Sequence, residues 1–445
     1  MRATSARFWD AIECGFVVLA LLLFSGALIP LLILGSSEAS VDVNQGGSAL
    51  IQAVWLVTYG TAFLFAVLRW NRFRWQRGIY LATKDKLLLA LVGLALISVL
   101  WSAVPEVTLR RGIALLLTTL FGLYLATRFE LSEQLRLLYW ALIIAAVLSL
   151  GVALVVPSYG ITPSSANAWS PETTAEGWRG IYYSKNIFGR LMALSGVVSL
   201  LFAISTRKYR LLNWTVFGLS LSLLLLAKSA TSLLVFLVTV VFFLPLYRGL
   251  RWRYTLAAPF FIVMILGGGF AMVWGLGNAD TLLTALGKDL TLTGRTSLWS
   301  SLLEMIELRP WFGYGFEGFW QSYGEQWSVS YTGWQTSHAH NGFLELGLGL
   351  GLLGLLLFAL GFFDAFSRAV SWAQTTDTQQ TLWPLLYLTF LMLSNVTYTT
   401  LLQQNSLWWV LYVATILSTF ITYAEVNTKY QPTEMTPDLR VPQNR

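Results

Sequence analysis

The chain has 445 residues, 56% of them hydrophobic and 11% charged, and a net charge of +7. Soluble domains carry about 25% charged residues, so this composition, with a mean hydropathy of +0.62, excludes a soluble protein, a disordered chain and a collagen-like fibre. The single cysteine, Cys14, cannot close an intrachain disulfide, and the excess of Lys and Arg fits the cytoplasmic loops of a membrane protein rather than a nucleic-acid partner.

A helix that crosses a bilayer takes about 20 apolar residues. Apolar runs of about that length occur at 14–35, 49–68, 86–104, 112–127, 137–156, 187–205, 211–227, 231–247, 254–275, 342–363, 382–401 and 405–424. The expected fold is all-α: a polytopic membrane protein of about 12 transmembrane helices, with residues 1–424 forming one transmembrane domain. The first run does not read as a cleaved signal peptide. It is too long, and Asp10 and Glu13 interrupt the basic start. With the N-terminus inside, 20 of the 29 Lys and Arg fall in inside segments, which predicts that both termini are cytoplasmic. Two outside loops are then long. Residues 157–186 are rich in Ser, Pro, Thr and Gly, and residues 276–341, between the ninth and tenth runs, are too many for a mere connection. Residues 425–445, with Pro432, Pro437 and Pro442, read as a disordered cytoplasmic tail.

The outside segments hold basic residues that the orientation rule does not require. Arg190 lies in the first turns of the sixth run, and an arginine inside a membrane helix is a functional hypothesis by default. Arg110 and Arg111 enter the fourth run, Lys228 occupies the turn between the seventh and eighth, and Arg179, Lys185 and Arg295 belong to or border the two long loops. Together these cations can hold a diphosphate, because guanidinium pairs bidentately with phosphate oxygens; each alone can instead snorkel to lipid phosphates. No Asp-x-Asp motif is present to carry Mg2+. A diphosphate leaving group is therefore expected to be stabilised by Arg179, Lys185, Arg190, Lys228 and Arg295, with Arg111 in support and no metal or other cofactor.

His338 and His340 are the two histidines of the chain, and both precede the tenth run. Asn341 can cap that helix. His340 then stands at the positive end of the helix dipole, which disfavours imidazolium and suits a general base. A plain loop histidine, or a metal ligand lacking the further ligands zinc needs, are the alternatives. Between Trp311 and Trp334 aromatic residues are dense, fit to stack on sugar rings or to anchor at the lipid boundary. The preceding segment Arg295 to Arg309 reads as an amphipathic helix on the outer surface, ended by Pro310. Gly349-Leu350-Gly351-Leu352-Leu353-Gly354 matches a dinucleotide-binding fingerprint in letters only, since no strand precedes it. Gly347 and Gly351 have the spacing that lets membrane helices approach closely.

His340-Asn341, nine residues, then Gly351-Leu352-Leu353-Gly354 is the pattern of O-antigen ligases. With Thr293-Gly294-Arg295-Thr296-Ser297-Leu298-Trp299, Trp311-Phe312-Gly313-Tyr314-Gly315, Trp178-Arg179-Gly180-Ile181, Lys185-Asn186 and Gly189-Arg190, the chain resembles the superfamily of O-antigen ligases and Wzy-type polysaccharide polymerases, including ExoQ-like proteins. Ser184 stands where many relatives have His. The resemblance implies a metal-independent, inverting GT-C-type glycosyltransferase. It would move glycan from undecaprenyl diphosphate to an acceptor sugar at the periplasmic face of the bacterial inner membrane. The implied catalytic residue is His340, supported by His338, Asn341 and Arg111. The polymerase is the reading preferred, with the ligase that attaches glycan to a lipid A core as its alternative. A transporter of an organic anion or lipid-linked sugar would also explain many spans and Arg190, but not the long outer loop with His340-Asn341 at its end.

Overall fold

The computed structural model describes residues 2–30, 49–68, 78, 80, 83–162, 176–205, 207–250, 295–324, 336–374 and 379–430. The helices are α1 (Arg2–Phe24), α2 (Ala49–Leu68), α3 (Lys86–Ile97), α4 (Pro105–Arg128), α5 (Leu131–Val155), α6 (Lys185–Ser205) and α7 (Arg210–Leu226). α8 starts as Ala230–Leu237, widens into a π-helical stretch Val238–Phe243 and continues as Leu244–Leu250. Then follow α9 (Arg295–Leu308), the single turn α10 (Phe319–Ser322), α11 (Gly342–Ala373), α12 (Trp383–Asn395) and α13 (Leu407–Tyr430). The one sheet among the described residues is an antiparallel pair, β1 (Ile161–Thr162) and β2 (Gly177–Trp178). Helices therefore lie over the first eight and the last three predicted runs. The ninth run, 254–275, falls outside the described residues, as does much of the 276–341 loop; of the tail expected to be disordered from 425, residues 425–430 continue α13 as helix and the rest lies outside the described residues.

Six described helices are long and apolar enough to cross a bilayer: Ala49–Leu68, Pro105–Arg128, Leu131–Val155, Lys185–Ser205, Ala230–Gly249 and Gly342–Ala373. The chain is a multi-pass membrane protein of all-α class. On α2, Leu56, Val57 and Phe63 point outward and exposed, an arrangement stable against acyl chains but not against water. α6 and α12 are buried around nearly their whole circumference, polar positions included, and form the centre of the bundle. α7 and α8 pack on α6, α13 on α4 and α11, α3 on α11, and α1 on α5.

Local chemistry sets the helix ends. Asp85 caps α3 by accepting from the Leu88 N–H at 2.9 Å. Glu130 and Glu133 close a capping box at the start of α5. α4 begins at Pro105, before the predicted 112, with Pro at its first position and Glu106 in its first turn; the Arg111 it takes in is buried and meets Glu317 at 2.8 Å. α11 outruns the predicted 363 and takes in buried Arg368, which pairs with Asp364 and lies 3.8 Å from Asp85. α12 stops at Asn395, short of the predicted 401. The Asn395 Oδ1 accepts from the Thr400 N–H at 2.9 Å and the Thr400 hydroxyl at 3.0 Å, which folds Val396–Ser406 into an irregular segment between α12 and α13.

The largest departure from expectation lies inside α11. Gly351 adopts φ 64° and ψ −163° and breaks the helix. The segment after α9 enters this break. The Leu352 N–H donates to the Pro310 carbonyl at 2.7 Å, Leu353 N–H to the Trp311 carbonyl at 3.2 Å, and Tyr314 N–H to the Leu348 carbonyl at 2.8 Å. Irregular backbone at membrane depth persists only where protein satisfies its polar groups, and here Pro310–Tyr314 does so. Gly351 thus serves a helix break, not the close packing of two straight helices that its spacing with Gly347 suggested. A Cβ on Gly351 would lie 2.4 Å from the Trp311 carbonyl carbon, and one on Gly313 (φ 64°) 2.4 Å from the Leu348 carbonyl oxygen. α9 is corrected likewise. Its stripe packs on protein, with Leu298 and Leu302 fully buried in a cluster with Tyr314, Phe319, Trp320, Ala339 and Leu348. Burying each leucine contributes about 2 kcal/mol.

Candidate active site

Residues 336–341 approach α11 as a tightly bonded loop. Asn341 accepts from the Phe343 and Leu344 N–H groups at 2.9 and 3.1 Å, so it caps α11 as its residue type predicts. His340 immediately precedes the cap, in the left-handed region at φ 51°. It is buried, whereas His338 is exposed. The two rings lie 4.0 Å apart between centroids. The Thr336 hydroxyl stands 3.4 Å from His340 Nε2.

The cap also ties this loop to the irregular segment after α12. The Asn341 amide donates to the Val396 carbonyl at 3.2 Å. Gly342 abuts Asn395 so closely that a Cβ would lie 2.2 Å from its Oδ1. Two residues after Val396, the Tyr398 ring lies over the Arg190 guanidinium at 4.4 Å, and the Trp408 ring lies over it at 4.9 Å. The Tyr398 hydroxyl is fixed by Thr231 (2.7 Å), Ser232 (3.0 Å) and Ser229 (3.2 Å) at the start of α8. Arg190 is buried, and its Nε has no hydrogen-bond partner among the described residues. A desolvated guanidinium against aromatic faces gains about 2 kcal/mol. The Nε–H remains available to an anion.

The other predicted cations are unequally placed. Lys185 is buried at the start of α6, beside Gly177, whose Cβ would meet its Cδ at 2.9 Å and the Ala227 carbonyl oxygen at 2.6 Å. Lys228, in the adjoining turn, is exposed and pairs with Glu176 at 2.9 Å. Lys185 and Lys228 thus lie where the start of α6, β2 and the α7–α8 turn meet, with Arg190 further along α6. Arg179 is near in sequence, but its guanidinium is engaged elsewhere. It donates from Nε to the Tyr159 carbonyl at 2.6 Å and covers the Tyr159 ring at 4.5 Å. Burial raises the Tyr159 phenol above its ordinary range although Arg179 pulls the other way. Arg111 faces Glu317. Arg295 opens α9, and its side chain lies outside the described residues, as do Trp327, Tyr331 and Trp334 of the aromatic stretch.

Three contributors, Tyr398, Trp408 and Glu345, were not expected from the sequence, and a fourth, Trp320, only as one of the aromatic stretch. Tyr398 and Trp408 carry no motif, and only their position over Arg190 exposes them. Glu345 and Trp320 bond each other at 2.7 Å beside the histidine loop. A signal for Glu345 existed, since an acidic residue within an apolar run calls for a partner.

Residues 215–359 match the family model Wzy_C, described as O-antigen ligase. That stretch contains the His340-Asn341 cap and the Gly351 break. The exopolysaccharide production protein ExoQ of Rhizobium meliloti (strain 1021) is 30% identical over 289 residues, covering 61% of this chain and 62% of ExoQ. The chain is thus similar to O-antigen ligases over that stretch and to ExoQ, of whose length it spans less than two thirds. The geometry gives the family pattern a physical meaning in this chain: His-Asn is a histidine before a helix cap, and the glycines nine residues on are where that helix breaks to admit the Trp311–Gly315 loop.

Proposed function

We propose that the protein is a metal-independent inverting glycosyltransferase of GT-C type. It moves glycan from undecaprenyl diphosphate to an acceptor sugar hydroxyl at the periplasmic face of the inner membrane, as a polysaccharide polymerase. The observation that supports this reading is that one short segment reaches both buried residues: the Val396 carbonyl accepts from Asn341, next to His340, and Tyr398 covers Arg190. In this reading His340 takes the proton of the acceptor hydroxyl, whose oxygen attacks the anomeric carbon. The bond from that carbon to the diphosphate oxygen breaks, and the negative charge passes to the diphosphate. Arg190 and Lys185 receive it, with Lys228, Arg179 and Arg295 at greater remove. Preorganised cations in a dry site supply the charge stabilisation that Mg2+ provides elsewhere. His338, Asn341 and Arg111 support the histidine loop. The reading includes twelve spans with both termini cytoplasmic and the His340 end of the bundle periplasmic.

Purified protein in proteoliposomes, given lipid-linked glycan and no ion gradient, is the test. Transfer in EDTA supports the proposal; strict dependence on added Mg2+, or uptake without transfer, defeats it. A second reading, ligation of glycan to a lipid A core, is favoured by the description of the matching family model. Mass spectrometry of surface glycan after deletion separates the two: lost chain length indicates the polymerase, lost attachment the ligase.

A further inference from the structure

Glu345 is half-buried in the first turns of an apolar helix, where an unbonded carboxylate is costly. Both its oxygens are used. Oε2 accepts from the Ala339 N–H at 2.8 Å and Oε1 from the Trp320 indole N–H at 2.7 Å. Ala339 stands between the two histidines and is wholly buried. Its carbonyl accepts from the Trp299 indole at 2.9 Å. The backbone that leads into His340 is thus held at the Ala339 N–H by Glu345 and at the Ala339 carbonyl by Trp299. His340 follows at φ 51°, a conformation that a residue with a Cβ keeps only when its surroundings over-determine it.

Helix capping does not account for this carboxylate. Asn341 already serves the first N–H groups of α11. A capping-box acid sits three residues after the cap and bonds the cap residue's own N–H. Glu345 sits four after and reaches back to a residue two before. Its bond therefore fixes the histidine loop, not the helix start. Glu317, which could push this carboxylate away, is itself paired with Arg111 at 2.8 Å.

We propose that Glu345, with Trp299 opposite it, is a positioning residue that aims His340 through the Ala339 peptide. This rests on the reading of His340 as the general base. The test is transfer kinetics in proteoliposomes, together with donor binding and thermal melting. The variants are E345A, E345Q, the double variant E345Q/W320F, W299F and H340A. Misplacing a reacting group by about 1 Å costs about 10²-fold, so E345A is expected to lose about that in kcat with the KM for donor nearly unchanged. E345Q should lose activity too, because the amide NH2 that replaces one carboxylate oxygen cannot accept from Ala339 or Trp320. E345Q/W320F should recover much of it, since removing the indole donor frees the remaining oxygen for Ala339. W299F should lower kcat in the same direction.

Wild-type kcat in E345A would overturn the proposal. So would donor binding and melting temperature falling in step with kcat, without recovery in E345Q/W320F. Should E345A fail to fold, the comparison of E345Q with E345Q/W320F decides by the same criterion. H340A separates the two levels. Near wild-type transfer in H340A means the base assignment itself is wrong. Transfer lost in H340A but retained in E345A means that only the positioning role is wrong.

Discussion

His340 and His338 differ by two positions, and the fold separates them by burial: the first is enclosed beside the helix cap, the second exposed. A general base contributes about 10²–10⁴-fold. His340→Ala is therefore expected to lose at least about 10²-fold in transfer by the purified protein while donor binding persists, and His338→Ala to lose much less. Equal losses would remove the distinction that burial draws. Arg190 calls for a different substitution. A charge-assisted hydrogen bond contributes about 1.5–3 kcal/mol, so Arg190→Ala should cut transfer by about ten- to a hundredfold or more. Arg190→Lys should restore only part, because ammonium lacks the planar face that Tyr398 and Trp408 cover. Full rescue by Lys, measured in the same assay, would reduce the site to a point charge.

Among the elements, the broken helix α11 is the least ordinary. Its N-terminal half carries the histidine cap, and its break holds the Pro310–Tyr314 loop by backbone hydrogen bonds. Gly351 and Gly349 are two residues apart with opposite demands. A Cβ at Gly351 meets backbone at 2.4 Å in a left-handed conformation, whereas one at Gly349 meets nothing closer than 3.7 Å. Gly351→Ala should destabilise by about 1–3 kcal/mol from backbone strain alone, with more from the clash. Gly349→Ala should be close to neutral. Thermal melting in detergent, with limited proteolysis of the segment after α9, reads both. If the two variants melt alike, the loop does not depend on the break.

For the whole molecule, orientation is the property most exposed to test. Replacing Cys14 by Ser frees the chain for single-cysteine labelling. Glu176 and Lys208 are both exposed and lie at opposite ends of α6. With an impermeant thiol reagent on intact spheroplasts, Glu176→Cys should label and Lys208→Cys should not. The opposite pattern would put His340 on the cytoplasmic side and defeat a periplasmic reaction.

Composition and apolar periodicity by themselves determined that the chain is all-α and membrane-embedded, because some twenty consecutive apolar residues admit few other fates. The His340-Asn341 cap was also legible, since an asparagine ahead of an apolar run acts through bonds to its immediate neighbours. What needed tertiary structure was everything whose partner lies far along the chain. Arg111 is paired by Glu317, and Arg190 is covered by Tyr398 and Trp408. Ala339 is gripped by Trp299 and Glu345, and Gly351 turns out to break its helix for a loop some forty residues earlier. Helix ends shifted too. A charge or a polar turn stops a helix in sequence reasoning, yet α4 and α11 run on through buried arginines whose counter-charges the fold supplies, while α12 stops early because Asn395 bonds Thr400. Local bonds are written in neighbouring residues; desolvation and its compensation are decided by which distant groups the bundle brings together.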